Sequence, residues 1–162
     1  MHSRIVELSN EPILVDERLS EDSIPEWFYH TVADYTNANT DRDQDIQWFL
    51  EHVGSIVDVA ENGLSFSFKP NAKQMYFRRS YHAFLEKVRE LTGISLDAFS
   101  GETKYDIGMA MYKLKSFYND TFGFYIYYQD ELKTLDDWIR ETDLSGSSTT
   151  FFWTESGLPT IF

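Results

Sequence analysis

Apolar residues recur at three- and four-residue spacings in several segments of the chain, which is the pattern of an amphipathic helix. The longest pattern runs through residues 71–93 and predicts a helix that ends near its last glycine. Shorter patterns with capping residues predict two further helices, over about 24–36 and 40–54. A short helix is expected over 134–141, and a single helical turn within 95–102.

Runs of β-branched and aromatic residues predict two hairpins. The segments 56–59 and 64–68 flank Asn62-Gly63, the strongest short hairpin signal. The segment 105–118 is ambiguous, because its alternation favours a strand whereas its many helix-forming residues favour a helix. We interpret it as a strand, since it would then complete a second hairpin with the aromatic run 122–128.

The two ends of the chain are expected to join the same sheet. The segment 1–20 contains short β-leaning runs on either side of Pro12, which favours an edge strand or a docked arm over a central strand. A C-terminal strand is expected after a flexible loop at 145–148. The order of elements predicts one globular domain over 1–162. Its class is α+β, with a mostly antiparallel sheet built from two hairpins and packed by about four helices.

The aromatic run 122–128 places five rings in seven residues. On a strand, Tyr125 and Tyr127 share one face, and the opposite face is also aromatic. Either helices cover both faces of this strand, or the face of Tyr125 and Tyr127, extended by Tyr112, stays open to bind a protein. Trp153 is a further candidate anchor, in a β-run that either completes the sheet or pairs with a second copy as a homodimer.

The charge of the chain limits its partners. It carries 27 acidic and 14 Lys or Arg residues, a formal net charge of −13. Such a surface repels phosphate, so we expect no direct nucleic-acid binding and no anionic membrane surface as a ligand. A basic protein partner suits the charge better. We find no leader pattern and no apolar run of membrane-spanning length, and we expect a soluble cytoplasmic protein.

No pattern specific for catalysis or for a cofactor is present. The chain has no cysteine, so thiolate sites and disulfides are excluded, and it lacks the glycine-rich phosphate loops and the nucleophile elbow. The acids at 41–45 resemble the start of a calcium loop, but Ile46 and His52 stand where that loop needs glycine and glutamate. We therefore expect neither a metal nor a cofactor, and we assign those acids to the start of a helix.

A positively charged cluster lies on the longest predicted helix. Arg78, Arg79 and His82 stand within one and a half turns, next to Tyr81. In an acidic protein this cluster is a candidate site for a carboxylate or a phosphate. The alternative is that the arginines pair with nearby acids of the chain itself.

These observations favour a non-enzymatic protein-binding or regulatory module of the inhibitor, immunity or adaptor type. An acidic rim would steer a basic partner, and Tyr or Trp side chains would anchor it. One alternative is a small hydrolase-like enzyme that combines His82 or His30 with carboxylates and Arg78 or Arg79 in a pocket. Another is a nucleic-acid mimic that inhibits a DNA-binding protein, which ranks lower because the acids are dispersed along the chain.

Overall fold

A computed structural model describes residues 3–14, 19–32, 36–37, 42–120, 123–144, 149–153 and 160–161. Its helices and strands confirm the α+β class. The chain divides into two compact units. The larger unit comprises residues 1–76 and 121–162, and the smaller one, which we call the helical unit, comprises residues 77–120.

The sheet of the larger unit is mixed and is organised around its first strand, β1 (Ser3–Ser9). Strand β1 runs parallel to β5 (Phe124–Tyr128), with Ile5 opposite Tyr125. The other pairings are antiparallel. They join β1 to β7 (Thr150–Trp153) and β8 (Thr160–Ile161), β8 to β2 (Thr36–Asn37), β7 to β4 (Ser65–Phe68), β4 to β3 (Val57–Val59), and β5 to β6 (Glu131–Thr134).

The expected mostly antiparallel sheet of two hairpins is wrong, because β1 and β5 are parallel and one predicted strand is a helix. The helix is Ile107–Tyr118, and its start is fixed by the Asp106 side chain, which accepts a hydrogen bond from the Met109 amide at 2.9 Å. Strand β5 instead turns into β6 through Gln129 and Asp130, whose φ angles are 51° and 62°. Positive φ at both residues is typical of a two-residue hairpin turn, but Gln-Asp is a weak sequence signal for it.

The first predicted hairpin is confirmed. Strands β3 and β4 pair with Val57 opposite Phe68. In the connecting turn, Gly63 has a φ of 67°, and the Asn62 side chain accepts a hydrogen bond from the Leu64 amide at 3.0 Å. The Asn-Gly pair therefore supplies both the left-handed conformation and the local hydrogen bond that the turn requires.

Strand β1 is neither an edge strand nor an arm. It pairs with three other strands, and its side chains Ile5, Val6 and Leu8 are buried. Pro12 lies after the end of this strand, so it interrupts no ladder. Residues 13 and 14 belong to no strand, and Val15 lies outside the described residues.

Three α-helices lie wholly within the described part of the larger unit: α1 (Glu26–Thr31), α2 (Arg42–Val53) and α6 (Leu135–Glu141). Helix α1 ends five residues before its expected end, and Thr36 instead forms part of strand β2. Thr40, the expected cap of α2, and Asp41 lie outside the described residues. Helix α6 begins as expected, because Thr134 accepts a hydrogen bond from the Asp137 amide at 3.1 Å.

The core of the larger unit covers the second face of the aromatic strand. Tyr125 is buried in one cluster with Ile5, Ile24, Phe28 and Leu132. Ile126, the next residue, points to the other face and is also fully buried. Both faces of β5 are therefore covered at its centre, and Phe122, the first residue of the aromatic run, lies outside the described residues.

Three helical segments form the helical unit: the part of α3 (Ala72–Thr92) from residue 77 onward, α4 (Leu96–Phe99) and α5 (Ile107–Tyr118). The long helix and the single turn after it agree with the sequence prediction. Ser95 caps α4 by accepting a hydrogen bond from the Ala98 amide at 3.2 Å, and Gly101, with a φ of 82°, follows its end. No helix in the described ranges has the length and apolarity needed to cross a membrane.

Candidate functional site

Two of the predicted interface residues are buried in the larger unit. Tyr125 and Trp153 are each 2% exposed. The Trp153 indole donates a hydrogen bond to the Gly63 carbonyl oxygen at 2.8 Å, so its polar atom is used within the fold. Strand β7 lies between β1 and β4, so residues 150–153 do not form the free edge that the homodimer hypothesis requires. Neither side chain is available as a surface anchor.

Tyr127 lies in the larger unit too, but it is only half-buried. Its hydroxyl donates a hydrogen bond to Asp130 at 3.3 Å. Burial, followed by the charge of the Asp130 carboxylate, raises the pKa of Tyr127. These contacts are those of a residue at the edge of the core.

The other four predicted residues lie in the helical unit. Tyr112 is 53% exposed on α5. Arg78, Arg79 and His82 are exposed on α3, and the His82 ring lies 5.7 Å from that of Tyr81. Within the described residues, neither arginine forms an ion pair, so the expected pairing with acids of the chain is not observed there. The structure thus places the predicted cations and one predicted aromatic anchor in the same unit.

Exposed apolar side chains are concentrated in the helical unit. Among the described residues, eleven large apolar side chains are exposed, and seven of them fall in 77–120. We call these seven the apolar set: Tyr81, Leu96, Phe99, Met109, Met111, Tyr112 and Tyr118. Single exposed apolar residues are ordinary on a protein surface, whereas their concentration in one segment is typical of an interaction surface.

The helical unit also lacks a large buried side chain. Of residues 77–120, all of which the structure describes, only Ala98 and Ala110 are buried. The apolar residues that give α3 its helical periodicity, such as Phe84 and Val88, remain partly exposed. The unit therefore leaves apolar area in water, and covering that area would contribute roughly 25 cal/mol per Å².

Leu96 and Phe99 are the most exposed members of the apolar set, at 78% and 72%. They are three residues apart on α4 and therefore lie on the same side of that turn. Ala98 is directed inward and is buried, and the Ser95 cap fixes the start of the turn. The short helix thus presents two large apolar side chains outward as a consequence of its local hydrogen bonding.

Helix α5 exposes apolar side chains beside its packed face. Ala110 is buried, and Leu114 and Phe117 are half-buried, at the spacing of one helical face. Met109 and Tyr112 are three residues apart, so they form an adjacent exposed pair outside that face. Since Met, Tyr and Phe are enriched at the centres of protein interfaces, the composition of this surface agrees with its exposure.

The charge differs sharply between the two units. Residues 77–120 contain seven of the 14 Lys and Arg residues but six of the 27 acids, a formal charge of +1. The remainder of the chain carries −14.

Within the helical unit, hydrogen bonds from Lys87 and then Tyr105 lower the pKa of Glu90, and the same carboxylate raises the pKa of Tyr105.

A cavity of about 490 Å³ in the larger unit lies beside Tyr128, Trp138 and Phe151. At its rim, the Lys133 ammonium lies 2.7 Å from Glu141 and 2.5 Å from Glu131, and hydrogen bonds to these carboxylates raise the pKa of Lys133. The cavities described for this unit contain no histidine and no arginine. The described residues also include no cluster of carboxylates and histidines that fits a metal ion.

The histidines of the larger unit have ordinary polar partners. His30 lies 3.6 Å from Glu26, one helical turn away, and both side chains are exposed. His52 lies 3.3 Å from the Tyr76 hydroxyl, which donates a hydrogen bond to Asp136 at 2.9 Å. His2 lies outside the described residues.

Sequence reasoning missed the most exposed residues of the apolar set. It singled out Tyr112, but not Leu96, Phe99, Met109 or Met111. The available signal was the apolar character of 107–118 on more than one helical face, which is unusual for a surface helix. The interpretation of this segment as a strand concealed the signal, because alternation assigns those residues to two faces of a sheet.

Comparison of the chain with protein-family models, with curated proteins and with solved structures found no match.

Proposed function

We propose that this protein is a non-enzymatic protein-binding module whose contact surface is the apolar set of the helical unit. The observation that carries the proposal is the combination of seven exposed large apolar side chains with the absence of any large buried one in residues 77–120. A surface of that kind gains stability when another surface removes it from water.

The residue types support protein as the ligand. Tyr, Met, Phe and Arg are enriched at interfaces, and Tyr and Arg are frequent among the residues that dominate binding energy. Tyr112 and the exposed Arg78 and Arg79 belong to those types. Leu96 and Phe99 supply further exposed apolar area in the same unit, on a turn whose start is fixed by its cap.

The charge distribution refines the expected partner. The acids that would steer a basic partner belong mainly to the larger unit, which carries −14. The apolar set belongs to a unit of nearly balanced charge, so contact with it does not require a basic partner. Electrostatic steering would then affect the rate of encounter more than the contact itself.

The enzyme and mimic alternatives have less support. A hydrolase-like site would need a histidine, a carboxylate and Arg78 or Arg79 around one cavity, and the described cavities contain neither histidine nor arginine. A nucleic-acid mimic would need its carboxylates arrayed along one face, whereas the acids are dispersed along the chain.

A matched pair of leucine substitutions tests the proposal. Leu96→Asp adds a carboxylate to the apolar set, at a helix start where a negative charge is tolerated. Leu14→Asp makes the same change at a leucine that is 58% exposed in the larger unit. The wild-type chain and both variants are immobilised separately. Each is then used for quantitative capture from the source lysate, to which an untagged copy of the chain has been added.

We expect proteins that wild type and Leu14→Asp retain to be lost from Leu96→Asp by about tenfold or more, which corresponds to about 1.4 kcal/mol. Equal retention by all three chains would contradict the proposal, as would retention of nothing by any of them.

A further inference from the structure

We infer that the occupant of the apolar set is a second copy of this chain, so that the protein associates with itself through its helical units. This inference rests on the proposed function, because it names the partner of the same surface. The evidence for it is the difference in formal charge between residues 77–120 and the remainder of the chain.

The distribution of charge leaves the helical unit as the favourable place for two copies to meet. If two copies meet through their larger units, each partner brings a formal charge of −14 to the contact. If they meet through their helical units, each brings a formal charge of +1. Like charges placed in contact cost several kcal/mol in an interface, so the larger unit disfavours self-association while the helical unit permits it.

The helical unit carries both signs of charge that a symmetric contact needs. Arg78, Arg79 and Arg89 are exposed on α3. The same unit exposes the carboxylates Glu86, Asp97 and Glu102. None of these six side chains forms an ion pair within the described residues.

In a two-fold symmetric interface the same patch faces itself, so it must be complementary to itself. A unit that exposes unpaired cations, unpaired anions and apolar side chains has the residue types that such a contact needs. A partner that is uniformly acidic would satisfy only the cations, and a uniformly basic one only the anions. The near balance of seven bases and six acids therefore favours a second copy over a partner of one charge.

Salt gives this association a distinctive signature. Two copies that each carry −13 repel one another before they touch. The Debye length falls from roughly 30 Å at about 10 mM salt to roughly 8 Å at about 150 mM. Screening should therefore strengthen self-association, whereas it would weaken the binding of a basic partner that is steered by the acids.

Sedimentation velocity of the full chain over a concentration series tests the inference at those two salt concentrations. The wild-type chain is compared with Leu96→Asp on α4, Tyr112→Asp on α5 and the control Leu14→Asp, and far-UV circular dichroism checks that each variant is folded. We expect a reversible dimer that is tighter at the higher salt. At least one helical-unit variant should raise the dimer dissociation constant by about tenfold or more, with less than about a twofold change in Leu14→Asp.

Three results would overturn the inference. The first is a wild-type chain that stays monomeric up to about 200 μM at both salt concentrations. That concentration is far above the micromolar range of weak specific complexes, so the result would show that a second copy does not occupy the apolar set. If another protein is still captured in a Leu96-dependent manner, the proposed function survives that result. A dimer that neither helical-unit variant weakens, or one that the higher salt weakens, contradicts the inference, and the first of these also contradicts the proposed surface.

Discussion

The ring of Tyr125 packs edge-on against the ring of Phe28, with a centroid separation of 4.9 Å and an interplanar angle of 89°. This contact joins the aromatic strand β5 to helix α1, and both side chains are almost fully buried. The tyrosine that the sequence made a candidate anchor is therefore part of the core. The exposed aromatic and apolar side chains lie mainly in residues 77–120 instead.

Removal of the Tyr125 ring should destabilise the fold strongly. Tyr125→Ala deletes a buried aromatic side chain and leaves a cavity against Phe28, which typically costs about 3–5 kcal/mol. Tyr112→Ala is the matched control at an exposed tyrosine, where we expect a change within about 0.5 kcal/mol when both variants are measured at a concentration low enough to keep the chain monomeric. Urea unfolding followed by fluorescence measures both. Similar losses in the two variants would contradict the assignment of Tyr125 to the core.

The buried carboxylate of Asp45 should contribute to stability. Asp45 is 2% exposed and accepts a hydrogen bond from Arg4 Nε at 3.0 Å, while the Arg4 guanidinium lies 3.6 Å above the centre of the Trp48 ring. Asp45→Ala leaves the partly buried Arg4 guanidinium without its acceptor. We therefore expect a loss of roughly 1–3 kcal/mol in the free energy of unfolding. Asp43→Ala, at an exposed acid of the same helix, serves as the control.

If Asp45→Ala and Asp43→Ala prove equally mild in the same urea titration, helix-start electrostatics alone would account for both acids, and the Arg4 contact would contribute nothing.

Hydrogen bonding within the helical unit should be visible in the titration of Glu90. Lys87 and then Tyr105 lower the pKa of this carboxyl group below its ordinary value of 4.5. Tyr105→Phe removes one of these hydrogen bonds, so the pKa of Glu90 should rise toward that value. Carbon-detected NMR titration of the glutamate carboxyl groups measures the shift. An unchanged pKa of Glu90 in the variant would show that Tyr105 does not bind it.

Tyr127 should make the fold less stable at alkaline pH. Its pKa is raised above 10 in the folded state, mainly by burial and then by the nearby Asp130 charge. Above pH 10 the unfolded chain therefore releases this proton more readily than the folded chain. The free energy of unfolding consequently falls as pH rises from 10 toward the folded-state pKa.

Tyr127→Phe removes this ionisation, so its stability should decline less steeply above pH 10 than that of the wild type. Urea unfolding at a series of pH values gives the two slopes. Parallel slopes would mean that Tyr127 titrates alike in the folded and unfolded chains.

Local signals in the sequence were sufficient for several elements. Asn62-Gly63 predicts the first hairpin because both residues suit its turn, and the periodicity of Phe77 through Leu91 predicts the long helix. The α+β class follows from the mixture of such elements. These features depend on contacts between residues close in sequence, which a pattern of apolar and polar positions records.

The remaining features depend on contacts between distant residues. Strand β1 pairs with β5 more than a hundred residues later, and no local pattern encodes that parallel partner. Asp45 looked like a helix-start acid because its partner Arg4 lies 41 residues away in the chain. The candidate surface was found only in part: Tyr112 and the exposed arginines were named, whereas Leu96 and Phe99 required knowledge of which side of a short turn is packed.

The central claim is that two copies of the chain meet through the apolar set, and methyl NMR of the full chain at rising concentration tests it most directly. With carbon-13 in the leucine and methionine methyl groups, we expect the signals of Leu96, Met109 or Met111 to shift or broaden with concentration at about 150 mM salt, while Leu14 in the larger unit stays constant. Constant signals from all three residues, or changes confined to Leu14, would contradict the claim.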